Sequence, residues 1–371
     1  MSDSRRRYCA VKDKLRQQVP ELWIECESRM INLSLMVSAI VKAKDLSQHA
    51  IAAEMPLSAQ DTSLAQRQRR WLMNEQVDIR GCYEPIVCPF LQAMAHATTL
   101  PVILDTTPTG ANCRTLTLAV GYQRRAVPIT WRTEQGKRGH TDGCLQVGLL
   151  QQVVPGLPDT ADIVVLGDGE FGHVQLITWL EAQDWCYCLR VASDRYIHYE
   201  DEWRRLDSFA VRSGEFLWLE DVYLTQASPF GPVNILLTWD VANDRLLALV
   251  TNLPLLEEAR YWYRKRFWIE PVFGDIKGHG FDLQTSRLRH PKRISRLMLA
   301  VALAYLWLLF LGVTAVITNL AKLVDRTDRR DRSLFTIGRQ TLNRLLRLDE
   351  PIVVSFLPYP LLRLLPHAGV G

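Results

Sequence analysis

The run LMLAVALAYLWLLFLGVTAVI, Leu297 to Ile317, carries no charge over its whole length. As a helix it reaches roughly 30 Å, enough to cross a bilayer. Only lipid or the interior of a large domain can cover such a helix on every side. It is the only run of its kind in the chain, and Ala300, Ala302, Ala304 and Gly312 keep it thin enough for close packing. We therefore read it as a buried core helix, with membrane insertion as the alternative. That reading demands a big enclosing shell, and 371 residues are enough for two or three domains.

The remaining composition is that of a globular protein, 48% hydrophobic and 23% charged, without low-complexity tracts or internal repeats. The net charge of +4 says little by itself, but it is unevenly spread. Arg260 to Glu350 holds 18 Lys/Arg against 8 Asp/Glu, leaving 26 against 32 elsewhere. A basic C-terminal part points to a polyanion partner; an ordinary solvated surface is the competing explanation. The start, MSDSRRRYCA, has no apolar stretch behind its arginines and is not a signal peptide. The eight cysteines show no zinc-site spacing: Cys186 and Cys188 would face opposite sides of a strand, and Cys82 and Cys88 lack a second pair. They read as reduced packing residues of a cytoplasmic protein.

The pattern divides the chain. Residues 1–96 read as helical, and SLAQRQRRWLMN places Arg67, Arg70, Trp71 and Asn74 at helical spacing. Short helices ending in a basic one resemble a DNA-binding helical domain; a solvated helix face is the alternative. At 97 the texture changes. LPVILD is a short apolar run ending on Asp105, CRTLTLAVGY and RRAVPITWR alternate like antiparallel strands, and ADIVVLGDGEFG is a buried-strand pattern ending at Asp168. We take 97–192 as the first part of an α/β core. Residues 193–254 form a β-rich insertion, 255–320 the second part of the core, and 321–371 a C-terminal segment.

The segment YWYRKRFWIEPVFGDIK, Tyr261 to Lys277, surrounds the acid Glu270 with cations and rings. On one helix, Tyr263, Arg266, Glu270 and Lys277 fall at about 0°, 300°, 340° and 320°, a single narrow face. Pro271 is expected to kink the helix just after Glu270. A carboxylate can hold a metal ion, and the other three groups suit phosphate oxygens. A surface salt-bridge stripe is the alternative, because Arg266 and Glu270 are an i,i+4 pair.

Ligands of α/β folds gather at the carboxyl ends of strands. Asp105 and Asp168 both end strands, and Glu270 supplies a third carboxylate. Three acids in one place need cations, and two Mg²⁺ ions held by carboxylates are a standard device for in-line phosphoryl transfer. Taken singly, Asp105 also suits a helix cap or turn, and Asp168 a Gly-flanked turn with Glu170 as its rival. Arg124, Arg125, Lys137, Arg138 and His140 follow the first acid and could grip DNA; a solvated loop is the competing reading.

The spacing Tyr263-x2-Arg266-x3-Glu270-x6-Lys277 matches the YREK signature of the insertion-sequence-four family of bacterial cut-and-paste transposases. GFDLQTSRLRHPKRISRLMLAVALAYLWLLFLG resembles the stretch that follows the signature, and RDRSLFTIGRQTL the family's C-terminal segment. The resemblance covers roughly 98–350. It implies a ribonuclease-H-like catalytic core with a β-rich insertion and a DDE triad of Asp105, Asp168 and Glu270 holding two Mg²⁺, with Mn²⁺ as a substitute. It implies nicking at the element's ends, a hairpin on the flank, and joining of 3′ ends to target DNA by a homodimer, in the bacterial cytoplasm at the nucleoid. Tyr263, Arg266 and Lys277 would hold phosphates, and the Leu297 to Ile317 run would be a core helix rather than a membrane span. Family members of the hairpin type stack a flipped base on a tryptophan of the insertion. Trp239 in LLTWD lies nearest that place; a core aromatic at a strand end is the alternative. A stand-alone nuclease such as a junction resolvase, a catalytically silent DNA-binding protein and a membrane-anchored protein remain the rival readings.

Overall fold

The computed structural model describes residues 1–136, 141–278 and 280–358. Five helices open the chain: α1 (Asp3–Gln18), α2 (Pro20–Ile40), α3 (Gln48–Ala53), α4 (Asp61–Met73) and α5 (Ile79–Ala97). Next comes an antiparallel meander of β1 (Leu100–Gly110), β2 (Cys113–Tyr122) and β3 (Arg125–Gln135). After α6 (Gly143–Gln151), the strand β4 (Ile163–Gly167) pairs parallel to β1. After α7 (Val174–Glu181), the strand β5 (Cys186–Val191) pairs parallel to β4. All five residues of β4 are buried, as expected of a strand covered on both faces. The order β3-β2-β1-β4-β5, with three antiparallel strands followed by two parallel to the first, is the ribonuclease-H-like arrangement.

The β-rich stretch contributes β6 (Tyr196–Tyr199), β7 (Glu202–Arg205), β8 (Phe216–Leu224), β9 (Phe230–Asp240) and β10 (Arg245–Thr251). It does not close on itself. β10 pairs antiparallel with β5, Ala248 opposite Val191, so the core sheet continues to ten strands. The chain then returns across the sheet as α8 (Leu256–Arg266) and α9 (Glu270–Ile276), and finishes with α10 (Pro291–Ile317) and α11 (Leu334–Arg347).

Helix α10 contains the uncharged run. It is long and apolar enough to cross a membrane, and in the fold 83% of its most apolar window is enclosed. Helices α2, α4, α5 and α11 and strand β3 surround it. Each leucine it buries contributes about 2 kcal/mol. The N-terminal helices therefore serve as part of the wall of this core. Trp71, expected on the basic face of α4, is buried and donates its indole N–H to the Arg29 carbonyl at 3.0 Å. Arg67 and Arg70 remain exposed, and Arg67 Nε donates to Asn32 Oδ1 of α2 at 2.6 Å. Helices α10 and α11 cross at two glycines: a Cβ on Gly338 would strike the Leu308 carbonyl, and one on Gly312 the Leu334 carbonyl.

Candidate active site

The register of the parallel pair places the two aspartates side by side. Leu104 lies opposite Gly167, the last matched positions of β1 and β4, and Asp105 and Asp168 come next on each strand. Neighbouring strands are about 4.8 Å apart. Strand β1 itself does not end at Asp105, as the apolar run suggested. Its pairing with β4 ends there, and its pairing with β2 carries it on to Gly110, with Asp105 opposite Thr117. Asp168 opens a turn: its Oδ1 accepts the Glu170 N–H, and its carbonyl accepts the Phe171 N–H, each at 3.0 Å.

Helix α8 packs over β1, β4 and β5, with Ala259 and Tyr263 buried beneath it. The segment is not one continuous helix. A 3₁₀ turn at Phe267–Ile269 separates α8 from α9. Pro271 has no N–H to give the Phe267 carbonyl, and its ring crowds that carbonyl, so the break falls before Glu270 rather than after it. The face survives the break. Tyr263, Arg266 and Glu270 line one cleft with Asp168, and the Lys277 ammonium donates to the Thr107 hydroxyl on β1.

Arg266 lies among the three acids. Its Nη2 is 3.2 Å from Asp105 Oδ2 and 3.6 Å from Asp168 Oδ2, and its Nη1 is 3.0 Å from Glu270 Oε1. Its Nε is buried without a hydrogen-bond partner. Burial pushes the Asp105 carboxyl up to about 7; Arg266 opposes the rise, and the charges of Asp168 and Glu270 add to it. Burial also lowers the Lys277 ammonium, with Asp105 pulling it back, and raises the Tyr263 phenol. So one guanidinium holds together three carboxylates that would otherwise repel.

Among the described residues, no three acid, histidine or cysteine side chains already enclose a common point as metal ligands do. The guanidinium stands where their common cation would be. The donors are carboxylate oxygens alone, the set that hard divalent ions such as Mg²⁺ prefer. Asp105, Asp168 and Glu270 therefore fit a divalent ion by chemistry, once Arg266 yields the position.

Glu170, the rival acid, is engaged elsewhere. Its Oε1 accepts from Thr106 Oγ1 at 3.1 Å and the Thr141 N–H at 2.7 Å, and also from the Thr141 hydroxyl. It ties the loop before α6 to β1.

Trp239, on β9, is half-buried and lines the acids' cleft, a space of about 580 Å³. Arg190, Arg245, Arg260 and Phe216 share the cleft wall, and the Arg260 guanidinium lies 3.8 Å from the centre of the Phe216 ring. The sequence reading had not singled these out. Arg190 was the detectable one: in WCYCLRVA it is a charge inside an otherwise apolar strand.

Arg124 lies apart from the acids. It is exposed in the β2–β3 turn, where Gln123 and Arg124 adopt left-handed backbone angles. Val102 opposite Val120 sets that turn beside the start of β1, about 17 Å from Asp105 at 3.4 Å per residue. It belongs to the other end of the sheet from the acids. Arg125 is buried, paired with Asp275, and donates to Tyr305 Oη at 3.3 Å; it is a core residue. Lys137, Arg138 and His140 lie outside the described residues.

The family model described as "Transposase DDE domain" matches residues 97–307, more than half of the chain. No curated protein matches. Among solved structures, the chain is similar to the cryo-EM structure of a piggyBac transposase synaptic complex with hairpin DNA. The TM-score is 0.49 at 10% identity, over 93% of this chain and 80% of that one.

Proposed function

The chain belongs to the family of proteins with a transposase DDE domain, and from that premise we propose that it is a cut-and-paste transposase of the insertion-sequence-four type. One observation carries the reading: Asp105, Asp168 and Glu270, which lie 165 residues apart at their extremes, converge on one cation at the end of two parallel strands. One guanidinium leaves part of the charge of three acids unanswered, and a divalent ion would answer it.

DDE transposases use divalent metal ions, and here Asp105, Asp168 and Glu270 would hold two Mg²⁺ ions. Bound there, the ions would activate the attacking oxygen and stabilise the leaving one. The chain's own residues do the positioning. Arg266, once displaced from the acids by metal, and Lys277 would present positive charge to the phosphate at the cut, and Tyr263 presents a phenol whose proton is held by burial. Trp239 offers an aromatic face within the same cleft, where a base turned out of the duplex can stack. That feature supports a flank-hairpin pathway. The partners are the element's ends, its flank and the target DNA. Two ends must be joined together, so the working unit is a homodimer. The place of work is the cytoplasm, at the nucleoid, and α10 is a core helix rather than an anchor.

Strand transfer separates this reading from a nuclease of the same fold. A duplex with a pre-cut 3′-OH at the element's end is incubated with wild type, Mg²⁺ and a supercoiled plasmid. Joined product is expected. Cutting of an uncut end without joining would identify a nuclease, and binding without either reaction a silent DNA-binding protein.

A further inference from the structure

A second basic groove lies outside the acids' cleft. It is a space of about 860 Å³ between the N-terminal helices and the loop that follows Lys277. Arg69 and His49 line one wall; Arg287, Arg289, His290 and Arg293 line the other. Asp45 is the only acid in the lining, and its carboxylate is occupied by the Ser47 N–H at 2.7 Å. None of the four arginines has an ion-pair partner among the described residues, and three of them, Arg69, Arg287 and Arg289, are exposed.

The groove is built into the fold. The Leu46 N–H donates to Thr285 Oγ1 at 3.0 Å, and Arg296 Nη1 to the Leu72 carbonyl at 2.8 Å, so the two walls are bonded across their base. Cys113 Sγ bonds the Arg289 carbonyl at 3.3 Å, which ties the outer wall to the far end of the β1–β2 hairpin. Arg287 holds a left-handed backbone angle, φ 51°, which costs energy for a side chain other than glycine. Four guanidinium groups on a braced frame, without acids to answer them, suit phosphates.

Its position relative to the acids gives the register. Gly110, at the end of β1, abuts the Leu288 carbonyl of the outer wall. From Asp105 to Gly110 the strand advances about 17 Å. Duplex DNA rises about 3.4 Å per base pair, so that distance is roughly five base pairs. We propose that this groove grips the phosphate backbone of duplex DNA about five base pairs from the bond cut at Asp105, Asp168 and Glu270. The proposal rests on the reading of those acids as the place of cutting. The grip fixes register without reading bases.

The test measures binding of the full chain to a duplex carrying the element's end and flank, by fluorescence anisotropy across a salt series in Ca²⁺. The variants are Arg287→Ala/Arg289→Ala and Arg287→Lys/Arg289→Lys, with thermal midpoints as the folding control. The alanine pair should weaken binding about thirtyfold at 0.15 M salt and flatten the log–log salt slope by about 2, for end and unrelated duplexes alike; the lysine pair should keep the slope. Duplexes are then cut back to three base pairs from the cleavage point on one side or the other. One of these truncations should abolish the difference between wild type and the alanine pair. An unchanged slope in the alanine pair, or a difference that survives both truncations, would overturn the proposal. Wild type that binds with the full slope yet cuts nothing in Mg²⁺ would instead sink the transposase reading and leave a duplex-binding groove.

Discussion

Arg266 Nη2 lies 3.2 Å from Asp105 Oδ2, with both side chains almost wholly buried. Two further carboxylates share the same guanidinium. This pairing explains how a buried aspartate is tolerated beside two other acids, and it makes the site's behaviour depend on which cation is present.

The first consequence is a pH dependence. The Asp105 carboxyl is held up at about 7 in the folded protein, above its ordinary 3.8. The folded state therefore keeps a proton that the unfolded chain releases. The associated stability is complete below about pH 4 and is lost as pH rises through 7. Asp105→Asn removes this loss. In EDTA, its thermal midpoint should overtake wild type by several degrees at pH 8 while the two converge near pH 4. A constant gap across that range would contradict the assignment. Added Mg²⁺ should narrow the gap by stabilising wild type alone.

Glu170 and Glu270 should separate cleanly. Glu170→Ala leaves the Thr141 N–H and two hydroxyls without their acceptor, and should cost about 1–3 kcal/mol in urea unfolding. Glu270→Gln should leave unfolding nearly unchanged, since Glu270 is mostly exposed. Equal losses in the two would contradict the division of roles.

The crossing of α10 and α11 is set by glycine. Gly338→Ala places a methyl group against the Leu308 carbonyl, a backbone atom that cannot turn aside. We expect a loss of about 3 kcal/mol, measured by urea unfolding. A neutral result would show that the helices slide apart freely.

Trp239 should matter to DNA and little to folding. Trp239→Ala should leave the thermal midpoint within a few degrees of wild type. With 2-aminopurine at the first flank position, wild type should raise its fluorescence and the variant should not, with a loss of about 1–3 kcal/mol in stacking. A signal unchanged in the variant would assign Trp239 to the sheet alone.

Much of the site was legible in the sequence because its chemistry is carried by residue types at strand ends and by one spaced signature. Asp105 and Asp168 each close an apolar run, and Tyr263 to Lys277 repeats at helical intervals. The break before Glu270 was misplaced because the missing hydrogen bond belongs to the Phe267 carbonyl, four residues before the proline. The bridge from Arg266 to Asp105 and Asp168 depends on the parallel register of β1 with β4, which no local pattern encodes. Arg124 looked like its neighbours in charge, yet the antiparallel return of β2 carries it to the far end of the sheet. The basic groove joins Arg69 to Arg287, brought together because α4 packs on α10 while the loop that carries Arg287 leads into α10 and is bonded to Leu46 through Thr285.

The most direct measurement follows cutting at the element's end on a denaturing gel, with wild type beside Asp105→Asn, Asp168→Asn and Glu270→Gln. Each protein is tested in Mg²⁺ and Ca²⁺, and binding of the same duplex is measured in parallel. The account predicts nicking by wild type in Mg²⁺ but not in Ca²⁺. It predicts a loss of at least about a thousandfold in each variant with binding retained, the scale on which losing one essential group of a catalytic set falls. A folded variant that cuts at the wild-type rate would show that its acid is not part of the catalytic set.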